Sequence, residues 1–158
     1  MTSSTKATQT YLRDRVLASS PAELRLMLLD GAIRFAEQAR RGYESSDFEL
    51  AYEGTTRAQA ILLELMGALR PEQAPELCER LSALYTFLHA RLVNASSTRE
   101  ATAVDEVIRL LRYERETWSL ALAEIARCNR ESSALRDLPS GGRGDPTSGR
   151  ASGVSITA

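Results

Sequence analysis

Residues 19–35 read SSPAELRLMLLDGAIRF, the opening of a helix with more apolar residues than one buried face needs. Leu24, Met27, Leu28, Gly31 and Phe35 fall on one side of the helical period, as in an amphipathic helix packed on a core. Leu26, Leu29 and Ile33 recur at i, i+3 and i+7 and point roughly the opposite way. Ser20-Pro21-Ala22-Glu23 supplies the start as a capping box. Ser20 is the N-cap, Pro21 fits the first helical position, and Glu23 reaches back from the third. The helix should run to about Tyr43, where Gly42 and Ser45-Ser46 weaken it.

Three more helices follow. Ser46-Asp47-Phe48-Glu49 reads as a second capping box, opening a helix to about Leu69. Arg70-Pro71 ends it, because proline disfavours helical backbone in the residue before it. A third helix starts near Pro75 and ends around Asn94–Ala95. Ser97-Thr98-Arg99-Glu100 reads as a third capping box, opening a last helix to about Cys128. These helices share a near-heptad spacing. The rows are Ala51, Thr55, Ala58, Leu62, Leu65 and Leu69; then Leu77, Leu81, Leu84, Leu88 and Leu92; then Val104, Ile108, Leu111, Arg115, Trp118, Leu122 and Ile125. Short loops force antiparallel neighbours, and this spacing favours shallow crossing angles. The expected fold is all-α, an antiparallel up-down-up-down four-helix bundle over residues 20–130. A short N-terminal segment, 1–19, precedes it and a flexible tail, 131–158, follows. From Pro139 the tail holds five of the chain's nine Gly and two of its five Pro. It has too little apolar area to offset its ordering entropy. Its Arg143-Gly144-Asp145 tripeptide reads as chance.

The 158 residues suffice for one domain with a core. With 20 Lys and Arg against 21 Asp and Glu, no net field favours nucleic acid or an anionic membrane. No apolar run is long enough to span a bilayer, and MTSSTKATQTYLRD has no signal-peptide core. A cytoplasmic protein is expected. Cys78 and Cys128 form no CxxC or Cys/His cluster and read as ordinary reduced thiols.

Little here suggests chemistry. A di-iron bundle needs inward Glu and Glu-x-x-His pairs, whereas the one histidine, His89, follows Thr86 at that spacing. No nucleophile–base pair or glycine-rich phosphate loop can be assembled, so neither enzyme activity nor a cofactor or metal is expected. Arg115 interrupts the last apolar row. It either snorkels to solvent or pairs, buried, with a carboxylate such as Asp30. Leu50, Ile61 and Ala68, with Val107, Leu110 and Ala121, add further apolar surface off the main rows. The N-terminal segment, a homodimer or a partner's amphipathic helix could cover it.

Tyr11, Val16, Ala18-Ser19-Ser20-Pro21-Ala22-Glu23-Leu24 and Met27-Leu28-Leu29-Asp30-Gly31-Ala32 resemble the opening signature of the flagellar secretion chaperone FliS family. That signature is Tyr, Val, T-A-S-P-x-x-L, then a stretch like M-L-Y-D-G-A. Leu81-Ser82-Ala83-Leu84-Tyr85-Thr86-Phe87, Arg91-Leu92-Val93-Asn94-Ala95 and Arg115-Glu116-Thr117-Trp118 resemble its later blocks. The match runs in order from about residue 11 to 125. Leu29 stands where the family usually has Tyr, and Asn94-Ala95 reverses the usual order.

The resemblance implies a cytoplasmic helical chaperone without a cofactor. Such a chaperone binds the C-terminal, polymerisation-forming segment of flagellin, prevents premature assembly and presents its client to the export gate. It implies no nucleic-acid partner and no membrane insertion. Client contacts are expected at Tyr11, Leu26, Leu29, Asp30, Ile33, Tyr85 and Asn94, the polar ones as orienting hydrogen-bond groups. Each polar residue has a structural alternative: Asp30 paired with Arg115, Tyr85 packed in the core, Asn94 ending its helix. In some relatives the N-terminal segment covers the client surface, a role that here would fall to Tyr11, Leu12 and Val16. The alternative class is a general helical-bundle adaptor or a homodimeric regulator.

Overall fold

The structure, a computed structural model, describes residues 3–136. They form five helices: α1 (Ser3–Ala18), α2 (Pro21–Glu44), α3 (Phe48–Gly67), α4 (Pro75–Thr98) and α5 (Ala101–Arg136). No strand occurs among the described residues. The Gly-rich stretch from Pro139 lies outside them. α2 packs against α3 and α5, α3 against α4, and α4 against α5, while α1 takes no part in these seams.

The cap of α2 is the one its sequence announces. The Glu23 amide donates to Ser20 Oγ at 3.3 Å, and the Ser20 amide donates to Glu23 Oε2 at 2.8 Å. The backbone hydrogen bond from Ser20 holds the Glu23 carboxyl below its ordinary range. The other two expected boxes do not form. α3 is capped by Asp47, whose Oδ1 accepts from the Leu50 amide at 3.0 Å. Ser46 instead turns the chain at φ 58°. At the α4–α5 junction, Ser97 and Thr98 stay helical. Their hydroxyls donate to the carbonyls of Val93 and Asn94, four residues back, at 3.3 and 3.1 Å, so neither is free to cap α5. Arg99, left-handed at φ 57°, ends α4, and its guanidinium lies 4.4 Å from the Phe48 ring centre. α4 therefore ends later than expected, and α5 runs on past Cys128 to Arg136.

On α2 the deepest burial coincides with neither expected face: of Leu26, Leu29 and Ile33 only Leu29 is buried. The fully buried line of the helix is Leu29, Ala32, Ala36, Ala39 and Gly42, whereas Leu24, Met27, Leu28, Gly31 and Phe35 are half-buried. Small residues win because they permit close backbone approach. A Cβ on Gly42 would lie 2.4 Å from the Ala51 amide nitrogen of α3, and one on Gly54 would lie 2.6 Å from the Ala39 nitrogen of α2. The bulkier residues flank this contact: Leu28, Phe35 and Ile61 pack on the core without entering it.

The α3 row stands through Ala51, Thr55, Ala58, Leu62 and Leu65, which are buried, while Leu69, its expected last member, lies beyond the helix and is half-buried. The α4 row shifts by one residue at its start, with Cys78 buried and Leu77 exposed, then continues through Tyr85, Leu88, Leu92 and Ala95. On α5, Val104, Ile108 and Leu111 are buried, but the next core position is Glu114 instead of Arg115. Arg115 would keep three- and four-residue steps alternating, whereas Glu114 gives two three-residue steps in succession; both stay close to the helical period.

Candidate functional site

The expected site residues do not converge on one patch. Leu26, Asp30 and Ile33 lie along one line of α2 at i, i+4 and i+7; Leu26 and Ile33 are half-buried and Asp30 is exposed. Asp30 meets Arg115 of α5, whose Nε donates to Oδ1 at 2.8 Å and whose Nη2 donates to Oδ2 at 3.4 Å. The pair is a surface fork, not a buried bridge, and the Asp30 hydrogen bond raises the Arg115 pKa further. Leu29 has no solvent exposure and belongs to the core. Tyr11 stands exposed on α1, and Asn94 is exposed near the end of α4.

Tyr85 is fully buried and organises a polar cluster that sequence reasoning missed. Its hydroxyl donates to Glu114 Oε1 in a short hydrogen bond and accepts from Arg25 Nη1 at 3.2 Å. Trp118 Nε1 donates to the same Glu114 oxygen at 3.3 Å, and the Arg25 guanidinium lies 4.8 Å from the Trp118 ring centre. Glu114 Oε2 is buried without a partner among the described residues. Burial pushes the Glu114 carboxyl up, opposed by the hydrogen bonds from Tyr85 and Trp118 and by the Arg25 charge. Burial and the neighbouring Glu114 likewise push the Tyr85 phenol up. The signal available in the sequence was Tyr85 itself: a buried phenol needs a partner, and only α5 offers a carboxylate on a core-facing line.

Arg25 and Trp118 also line an open cleft where α2 begins, α3 ends and the link to α4 crosses. Two adjoining hollows of about 380 and 250 Å³ share Pro21, Arg25, Ala68, Arg70 and Gln73. Leu24, Leu28 and Leu65 make the first hollow apolar, and Leu77, Leu81 and Trp118 do so for the second. Among the described residues, no three or more of His, Cys, Asp and Glu cluster in a way that could hold a metal ion. No helix among them is long and apolar enough to cross a membrane.

Among the described residues these features define an all-helical protein with a mainly apolar open cleft and buried titratable groups that brace the fold. The family model for the flagellar protein FliS matches residues 4–125. The chain is 30% identical to the flagellar secretion chaperone FliS of Bacillus subtilis over 112 residues, 71% of this chain and 83% of that one. It is 32% identical to the Salmonella typhimurium chaperone of the same name over 111 residues, 70% of this chain and 82% of the relative. Against the Escherichia coli chaperone the identity is 30% over 124 residues, with 74% and 90% covered. The chain belongs to the FliS family of flagellar secretion chaperones.

Proposed function

We propose that this protein holds the C-terminal segment of flagellin in the cytoplasm, keeps it from polymerising prematurely and hands it to the flagellar export gate. The observation that carries the reading is the open apolar cleft at one end of a chain of this family, with an arm, α1, whose Tyr11, Leu12, Val16 and Leu17 are all exposed. A disordered, apolar segment gains by folding as a helix onto such a surface. The line Leu26, Asp30 and Ile33, together with Tyr11 and Asn94, is the proposed contact surface. Leu29 and Tyr85 support it from beneath.

The proposed scaffold is the antiparallel up-down-up-down bundle of α2–α5. Partner order supports it. Arg25, Asp30 and Glu37 of α2 meet Trp118, Arg115 and Arg112 of α5 in descending sequence. Tyr85 and Arg91 of α4 meet Glu114 and Glu106 in the same sense.

Titration calorimetry of the full chain with a peptide covering the C-terminal segment of flagellin from the same organism tests the function. Expected are one-to-one binding, a large negative heat-capacity change and a gain of helical circular dichroism. No binding at high micromolar peptide, with the free chain a tight dimer, would favour the homodimeric regulator instead.

A further inference from the structure

We infer that the cleft between the start of α2 and the α3–α4 link captures the free carboxyl terminus of the client, with the client's last apolar side chains in the hollow beneath. This rests on the flagellin-binding reading and specifies which end of the segment docks where.

The cleft combines two features that a chain terminus requires. Leu24, Leu28, Leu65 and Ala68 supply an apolar hollow large enough for one or two side chains, while Arg25 and Arg70 stand on the wall common to both hollows. The Arg70 carbonyl accepts from the Gln73 and Ala74 amides, but its side chain makes no hydrogen bond or ion pair among the described residues. Its guanidinium borders an apolar cleft with its donors uncommitted. Arg25 donates once, to Tyr85, and is steadied from behind by the Trp118 ring, which leaves further N–H groups for a ligand. Tyr85 is in turn fixed by Glu114, so Arg25 is held in place before any ligand arrives.

The charge balance at the cleft favours an anion. Of the acidic residues near it, Glu64 lines the first hollow, Glu114 lies buried behind Arg25 and takes up part of its charge, and Glu23 is spent on the Ser20 amide. Two guanidiniums therefore face one lining carboxylate, beside the positive end of α2. A carboxylate held by two arginines forms charge-assisted hydrogen bonds. Among the groups of an apolar helical segment, the terminal α-carboxylate sits next to an apolar side chain at fixed distance, matching the placement of the arginines beside the hollow. The N-terminal arm could reach the same cleft, since Pro21 lines it, but α1 carries no terminal carboxylate.

The test titrates the full-length protein with two peptides of the same flagellin C-terminal sequence, one ending in the free acid and one in the amide. The Arg70→Gln variant is titrated with both. The Arg70 side chain has no partner among the described residues and the substitution leaves its backbone bonds to Gln73 and Ala74 in place, so this variant should keep its melting temperature and helical spectrum. The expected result is roughly tenfold or more weaker binding of the amide. Arg70→Gln should weaken the free acid by a similar factor and erase most of the difference between the two peptides. Equal affinity of acid and amide for the unaltered protein overturns the inference while leaving the flagellin-binding reading intact. Equal weakening of both peptides by Arg70→Gln also overturns it, assigning Arg70 to a side-chain carboxylate or to the apolar wall. If neither peptide binds, the flagellin-binding reading fails first and takes this inference with it.

Discussion

At the Glu114 carboxyl, burial and hydrogen bonding pull in opposite directions. Burial dominates and raises its pKa above the ordinary carboxylate value. Between that ordinary range and the raised value, the folded chain binds more protons than the unfolded one, so stability falls as pH rises. The slope from this one group is at most about 1.4 kcal/mol per pH unit. Glu114→Gln keeps an oxygen to accept from Tyr85 and Trp118 but cannot ionise. Urea midpoints measured across mildly acidic pH should decline for the parent protein and flatten for the variant; identical profiles would place the titration elsewhere. Tyr85→Phe is the harsher change. It strips the donor from a buried carboxylate and the acceptor from Arg25, and should cost about 1–3 kcal/mol. It should also loosen Arg25, and so weaken client binding beyond what the stability loss explains.

Among the elements, the α2–α3 seam depends on backbone proximity more than on side-chain bulk. Gly54 has no room for a Cβ against Phe35 and Ala39, whereas a Cβ on Gly67 would meet nothing within 4 Å. Neither glycine has a positive φ. Gly54→Val should therefore force the helices apart and cost about 1–3 kcal/mol or more. Gly67→Ala should be neutral or stabilising by about 0.5 kcal/mol, through reduced freedom of the unfolded chain. Denaturant melts of the two variants side by side decide the matter, and equal effects would contradict the close-approach account.

The same seam shows what could be read in advance. The four helices α2–α5, the Ser20 cap and the α3 row as far as Leu65 follow from periodicity and capping chemistry, which are local, whereas the helix α1 was expected only as a short N-terminal segment. The face of α2 did not follow from them, because Leu and Met look more like core than Ala, and only a neighbouring backbone reveals where Ala and Gly are needed. Glu114 was missed for a related reason. Periodicity allowed either Glu114 or Arg115 in the row, and the choice was made by Tyr85, distant in sequence. For Arg115 charge and spacing left two readings open, snorkelling or a buried pair with Asp30; the structure combines them in an exposed pair, and the exposure depended on that same one-residue rotation of α5.

At the scale of the whole molecule, order is unevenly distributed. The seams join α2–α5. α1 has none of them, and α5 is twelve residues longer than α4, an excess of roughly 18 Å. Because Trp118 of α5 sits with Arg25 near the start of α2, the last part of α5 runs on beyond the point where α2 begins. There Leu120, Ile125 and Leu135 are exposed, and Arg127 is tied only to Glu124 and Glu131 of its own helix. The cleft, the arm and the free end of α5 therefore share one end of the molecule. Helices of this length without tertiary packing are marginal in water, so their amides should open at little cost while those of α2 and α3 require global unfolding. Hydrogen exchange of the free protein should show α1 fastest, then residues 119–136, with Leu29–Ala39 and Ala58–Leu65 slowest. Adding the flagellin peptide should slow exchange in α1 and the far end of α5 if it docks at this end, because amides there open locally and a bound client closes them. Protection confined to the far end of the α2–α3 seam, where Ala39 and Gly42 meet Gly54 and Ala51, would mean that the client leaves this end free, against the proposed cleft.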